Sequence, residues 1–138
     1  IPRRKMKTTV SIKYLFLTIL AIGLASCQES LEERCQRELA EYTKKNCPAY
    51  VDRFTVQDSV TYEPDTRTIH YYYTLFGNAD NIDNLQGARN ILINQLRNTT
   101  FLKAYKDDGF RFSYTYYSKS TGKILVEHTF TEADYKRR

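Results

Sequence analysis

Phe54-Thr-Val-Gln-Asp-Ser-Val-Thr-Tyr62 and Thr68-Ile-His-Tyr-Tyr-Tyr-Thr-Leu-Phe76, on either side of Glu63-Pro64-Asp65-Thr66, decide the fold. Apolar and polar residues alternate in both runs, which is the period of half-buried strands, and the intervening residues carry turn chemistry, so the segment reads as a hairpin. A second one follows the Asp107-Asp108-Gly109 turn: Phe110 to Tyr117, a turn at Ser118-Lys-Ser-Thr-Gly122, and a strand from Lys123 to Thr131.

Helical spacing precedes each hairpin. Leu31 to Lys45 sets Leu31, Cys35, Leu39 and Tyr42 on one side, with acids early and lysines late as the helix dipole favours, and Pro48 stops it. After a loop at Gly77–Asn81, Ile82 to Asn98 carries Leu85, Ile91, Leu92 and Leu96 at the same spacing. The predicted class is α+β in the order helix-hairpin-helix-hairpin (αββαββ). A four-stranded antiparallel sheet would have two helices on one face. The hairpins also match each other, which predicts an internal duplication. Ser59-Val-Thr-Tyr62 pairs with Ser113-Tyr-Thr-Tyr116, and Thr66-Arg-Thr-Ile69 with Thr121-Gly-Lys-Ile124.

Strand parity divides the sheet. Ile69, Tyr71, Tyr73 and Leu75 share a face, as do Phe110, Phe112, Tyr114 and Tyr116, and Ile124, Val126, His128 and Phe130; this face should meet the helices. The other face collects His70, Tyr72, Arg111, Thr115, Tyr117 and Glu127 among further threonines and serines, and is the predicted binding face.

The N-terminus reads as an address. A basic stretch, Lys7 to Lys13, leads into the apolar run Tyr14 to Leu24, too short to span ~30 Å of hydrocarbon, which takes ~20 residues. Leu24-Ala25-Ser26-Cys27 then resembles the lipobox of bacterial lipoproteins. That resemblance implies cleavage before Cys27, lipidation of its thiol, and a membrane anchor in the cell envelope, with the outer membrane favoured over the inner. Residues 1–26 are therefore read as leader, 27–30 as tether and 31–138 as one domain, with Met6, the only methionine, as the expected start.

Charge narrows the partners. Of the 21 Lys and Arg, five (Arg3, Arg4, Lys5, Lys7 and Lys13) lie in the leader, which leaves 16 against 16 Asp and Glu. A nucleic-acid-binding domain should concentrate positive charge in its folded part, so that class is excluded. An exported chain should oxidise Cys35 and Cys47. A helix between them would hold them about 18 Å apart, against the ~7 Å a disulfide tolerates. The pair is a bridge only if the helix ends early, and otherwise two semi-buried thiols.

Catalytic signals are weak. Parity sends His70 and His128 to opposite faces, so they should not share a metal, and no HExxH or CxxC spacing accompanies them. The five glycines are scattered, and no nucleophile–base–acid spacing appears. No catalytic residue, metal or cofactor is expected. Tyrosine is the compositional excess, twelve with no tryptophan, and suits either half-buried strands or a binding surface.

Three weaker resemblances complete the reading. Asp58-Ser59-Val60 resembles the O-glycosylation signal of exported Bacteroidota proteins, and with Asn46-Cys47-Pro48 and Tyr71-Tyr-Tyr-Thr-Leu75 it is similar to small uncharacterised Bacteroidota lipoproteins. Thr121-Gly-Lys-Ile-Leu125 is similar to a turn of PepSY-type helix-hairpin modules, which are associated with inhibiting or chaperoning peptidases. The expectation is a non-catalytic envelope module binding protein, peptide or glycan. Its rivals are a small hydrolase using Cys47 or a histidine, and a structural envelope component.

Overall fold

The computed structural model describes residues 28–137. The leader 1–26 and the lipidation site Cys27 lie outside the described residues. The chain from Leu31 onward packs as one unit. It runs α1 (Leu31–Asn46), β1 (Ala49–Asp52), β2 (Thr55–Glu63), β3 (Thr68–Leu75), two 3-10 turns (Gly77–Ala79 and Ile82–Leu85), α2 (Ala88–Asn98), α3 (Lys103–Asp107), β4 (Arg111–Ser118), β5 (Ile124–Phe130) and α4 (Glu132–Lys136). No helix among the described residues is long and apolar enough to cross a membrane.

The class is α+β, but several expectations need correcting. The sheet has five strands in the order β1-β2-β3-β4-β5 rather than four, because Ala49–Asp52 adds an edge strand to β2. It is mixed rather than antiparallel. β3 and β4 run parallel, with Ile69 beside Phe112, Tyr71 beside Tyr114 and Tyr73 beside Tyr116. A parallel pair needs a crossover of a dozen or more residues. The segment from Phe76 to Phe110, with α2 and α3 in it, supplies one and brings the chain back level with Thr68.

The parallel pair also overturns the duplication. Both hairpins turn the same parity to the helices, yet from that side the second strand lies on opposite sides of the first in the two, once the first strands point the same way. No rotation superposes them, so the matches reflect Tyr- and Thr-rich strands, not a repeated unit.

A further correction is at the ends of elements. The second helix starts at Ala88, after a 3-10 turn, rather than at Ile82, and the residues after β5 form a further short helix, α4, beyond the two helices expected. Thr131 and Asp134 form a capping box there, each side chain bonding the other residue's backbone N–H. Tyr135 is buried as a result; its ring meets Phe112 edge-on and its hydroxyl donates to the Phe110 carbonyl at 2.9 Å.

The core gathers Cys35, Val60, Ile69, Leu92, Leu96, Phe110, Phe112, Tyr114 and Phe130. Strand parity holds at Ile69, Phe112 and Phe130, which are fully buried under the helices, but not at Ile124: a bulge before Val126 sets it opposite Tyr117, away from the helix face and largely exposed. α1 is fixed to β2 by polar bonds as well as packing. The Thr43 hydroxyl accepts from Val60 N at 2.9 Å and donates to Val60 O at 2.8 Å, and Tyr42 donates to Gln57 Oε1 at 2.7 Å. Lys106 closes the end of α2 by donating to the carbonyls of Leu96, Arg97 and Thr99.

Candidate functional site

The predicted binding face proves to be a ladder bonded to itself. His70 on β3 pairs through Nδ1 with Glu63 Oε1 of β2 at 2.5 Å and through Nε2 with Thr115 Oγ1 of β4 at 2.7 Å. Thr115 in turn donates to Glu127 Oε2 of β5 at 2.6 Å. Thr115 spends its one hydrogen on Glu127, so it accepts from His70 Nε2–H. Tyr72 stacks on the imidazole at 4.0 Å between centroids, 18° from parallel, and its hydroxyl reaches Nδ1 at 3.0 Å. Flanking rungs repeat the pattern: Ser113 with Thr129 at 2.7 Å, and Thr74 donating to Asp58 Oδ2 at 2.7 Å.

Of the six residues assigned to that face, His70, Tyr72, Thr115 and Glu127 thus converge. Arg111 lies exposed opposite Thr68, and Tyr117 stands opposite Thr74. Ser59 lies half-buried opposite Tyr72, next to the bulge that Asp58 makes in β2.

A carboxylate, an imidazole and a hydroxyl in line resemble a nucleophilic relay, but Thr115 is fully buried and its hydroxyl hydrogen is engaged by Glu127. A nucleophile must reach its substrate, so this arrangement cross-ties four strands instead. The thiols offer no better nucleophile. Cys35 and Cys47 are free, which removes the disulfide reading: α1 runs unbroken to Asn46 and keeps them apart. Burial, with Glu38 and Glu32 adding to it, pushes the Cys35 thiol up to about 12, and burial also raises Cys47, whose Sγ faces Gln57 Oε1 at 3.8 Å. A reactive cysteine needs the opposite shift. His128 lies on the helix side beside Phe130, its ring held below the usual imidazole range by burial and then by Arg89. Among the described residues no group of three His, Cys, Asp or Glu is placed to hold a metal.

The helix-side face differs. α1 packs over β2, while α4 packs on β5 and against α2, so the helix layer covers the two flanks of the sheet. Between them, on β3 and β4, stand four tyrosine rings. Tyr71 stacks on Tyr114 at 5.0 Å, Tyr73 on Tyr116 at 4.9 Å, and Tyr71 lies 6.5 Å from Tyr73, all within 15° of parallel. The parallel register of β3 and β4 sets these pairs, because it brings like parity side by side. Two recesses open at the ends of this row, one reaching Tyr71 and the other Tyr116. One, of about 370 Å³, is lined by Leu39, Tyr42, Tyr71, Leu102, Tyr105 and Phe101, the last 92% exposed. The other, of about 310 Å³, is lined by Ile91, Gln95, Leu85, Leu75 and Tyr116. Tyr73 touches Tyr71 on one side and Tyr116 on the other, and so stands between the two.

Desolvation holds the phenols of Tyr71, Tyr73, Tyr114 and Tyr116 above their usual range, and burial with the Glu38 hydrogen bond pushes Tyr105 up to about 12. The floor is therefore neutral at physiological pH: aromatic faces for apolar contact, and hydroxyls as donors or acceptors. Sequence parity placed these rings but assigned them to the core. The gap above them depends on where the helices land, which no local pattern encodes.

Comparison with known proteins adds the following. No curated protein matches the chain. A Pseudomonas aeruginosa protein described as secreted, solved by crystallography, shares the fold with a TM-score of 0.62 and 13% identity, over 79% of this chain and 100% of its own. The type II secretion system pilotin AspS from Vibrio cholerae shares it with a TM-score of 0.55 and 13% identity, over 80% of this chain and 97% of its own. At that identity the likeness establishes a common fold. Over residues 30–126, from α1 into β5, the chain matches the family described as a domain of unknown function, DUF8479, and belongs to it.

Proposed function

We propose that the protein is a non-catalytic, lipid-anchored adaptor of the bacterial envelope, which receives an amphipathic helix of a partner protein in the tyrosine-floored gap between α1 and α2. The observation that carries this reading is the gap itself. A sheet face covered by helices on both flanks and by half-buried rings between them is completed by one more helix, and helix-in-groove recognition uses apolar anchors of this kind. The exposed Phe101 at the rim and the neutral phenol floor fit an apolar helix face with a few polar groups. The fold shared with a secretion-system pilotin supports an envelope protein that works through a protein partner. The sequence Leu24-Ala-Ser-Cys27 supports the anchor.

A photo-crosslinking residue placed at Phe101 in the full chain, expressed in its own cells, tests the site. We expect a defined protein adduct from position 101 and none from Tyr117 on the opposite face. Adducts from Tyr117 alone would return the binding surface to the polar ladder. The anchor is tested by intact mass of membrane-purified protein: a lipidated chain beginning at Cys27 is expected, and an unlipidated chain retaining the leader would refute it. Ser59 remains a proposed glycosylation site, read in that same mass measurement as an added saccharide that Ser59→Ala removes.

A further inference from the structure

Some basic side chains on this protein are matched by acids. Arg34 pairs with Glu38, Arg67 with Glu32 and Asp108, Lys103 with Asp107, and Lys136 with Glu132. Three that have no carboxylate partner come together at one place. Between α2 and α4 a recess of about 220 Å³ is lined by Arg89, Asn90, Arg97, Arg137, Asp134 and Phe130. Among the described residues none of its three arginines forms an ion pair with a carboxylate.

Two of the guanidinium groups are placed by something other than an acid. Arg89 lies over the Phe130 ring at 4.7 Å, and Arg97 donates through Nη2 to the Asp134 carbonyl at 2.7 Å. Asp134 is the one carboxylate in the lining, and it is already committed. Its Oδ2 accepts from Thr131 N at 2.8 Å and from the Thr131 hydroxyl at 3.1 Å, which caps α4. Those bonds, with Arg89 and Arg137 adding to them, hold it below the usual carboxylate range, so it remains a single negative charge facing three positive ones. Guanidinium forks pair best with planar or tetrahedral oxyanions, and several aimed at one cavity select phosphate over a lone carboxylate. The Asn90 amide adds a neutral donor to the same rim.

We propose that the recess between α2 and α4 binds a phosphate group, presented either by a small soluble phosphate or by a phospholipid headgroup. The assignment is independent of the helix-binding gap, which lies on other residues. Backbone amide resonances of the full chain should be followed while inorganic phosphate replaces chloride at constant ionic strength. We expect saturable shifts at Asn90, Arg97 and Asp134, weakened at least about tenfold in Arg97→Gln/Arg137→Gln. Arg34→Gln, a control on α1, should leave them unchanged. Arg137→Gln alone, at an exposed position after α4, is expected to keep the fold and to weaken binding in the same direction. Flotation with phosphatidylglycerol-containing and pure phosphatidylcholine vesicles separates the sources. Binding to the anionic vesicles that falls in the double variant identifies a headgroup, whereas phosphate shifts with variant-insensitive flotation identify a soluble phosphate. No saturable shift together with variant-insensitive flotation, or equal shifts in wild type and double variant, overturns the proposal.

Discussion

The two hairpins reach the same backbone conformation at one turn position by different means. Arg67, in the β2–β3 turn, has φ of 53°, and Gly122, in the β4–β5 turn, has φ of 70°. Glycine reaches that region without a Cβ penalty, whereas an L side chain there costs roughly 1–2 kcal/mol. A Cβ at Gly122 would meet nothing within 4 Å. Arg67 is held by what its side chain does: the guanidinium lies 4.5 Å over the Phe110 ring and bonds Glu32 of α1 at 2.8 Å, the Asp108 carboxylate, and the Asp108 carbonyl at 3.1 Å. One turn is only a turn. The other is the point where α1, the first hairpin and the end of the crossover are fastened together.

That contrast can be attacked experimentally, and alkali should have the largest effect. The phenols of Tyr71 and Tyr73 in the first hairpin and Tyr114 and Tyr116 in the second are raised by burial, and Tyr105 and Tyr135 are pushed up to about 12. An acid whose folded pKa exceeds its unfolded value near 10 contributes stability that is whole below pH ~10 and lost as pH rises toward the folded value. We expect cooperative unfolding between pH ~10 and ~12, with phenolate absorbance near ~295 nm rising together with loss of far-UV dichroism. Phenolate formation that runs ahead of the dichroism would mean the rings are more open than described.

Next in size is Thr115→Val, which cuts the link between the hairpins. It strands His70 Nε2 and Glu127, and should cost about 1–3 kcal/mol in urea unfolding. Third is a pair at the fastened turn. Arg67→Ala loses the clamp and keeps the backbone strain, while Arg67→Gly loses the clamp and relieves it, so the alanine variant should be the less stable by about 1 kcal/mol. Equal stabilities would show that φ of 53° costs nothing in this turn. Smallest is Gly122→Ala, expected to lower stability by about 1 kcal/mol through conformation alone. A larger loss would reveal a contact at this turn beyond the ones described.

Local patterns carried much of the fold. Alternation marked β2 to β5, the 3.6 period and charge order marked α1, and parity sorted Ile69, Phe112 and Phe130 from His70 and Thr115. What escaped was either very short or non-local. β1 is four exposed residues, too few for alternation to register, although Tyr50-Val51 has strand composition. α4 is announced by Thr131-Glu-Ala-Asp134, a capping pattern that begins on the last residue of the expected strand and so escaped the strand reading. The parallel pairing of β3 with β4 follows from where the crossover returns, and with it come both the handedness that rules out duplication and the stacked tyrosine quartet. On the binding face, residue types were legible but their mutual bonding was not, because Glu63, His70, Thr115 and Glu127 meet only after four strands are aligned.

The parallel pair has a consequence for how the chain assembles. Each hairpin closes through near neighbours, an event of roughly 1–10 μs, but β3 can meet β4 only after the segment from Phe76 to Phe110 has doubled back. Until then the outer edge of β3, with Tyr71-Tyr72-Tyr73, is an unpaired strand rich in aromatic residues, the kind of edge that recruits other chains. Docking of the crossover is thus the slow, exposure-limiting step. Substitutions that delay it should lower the yield of folded protein even where the stability of the finished molecule is unchanged.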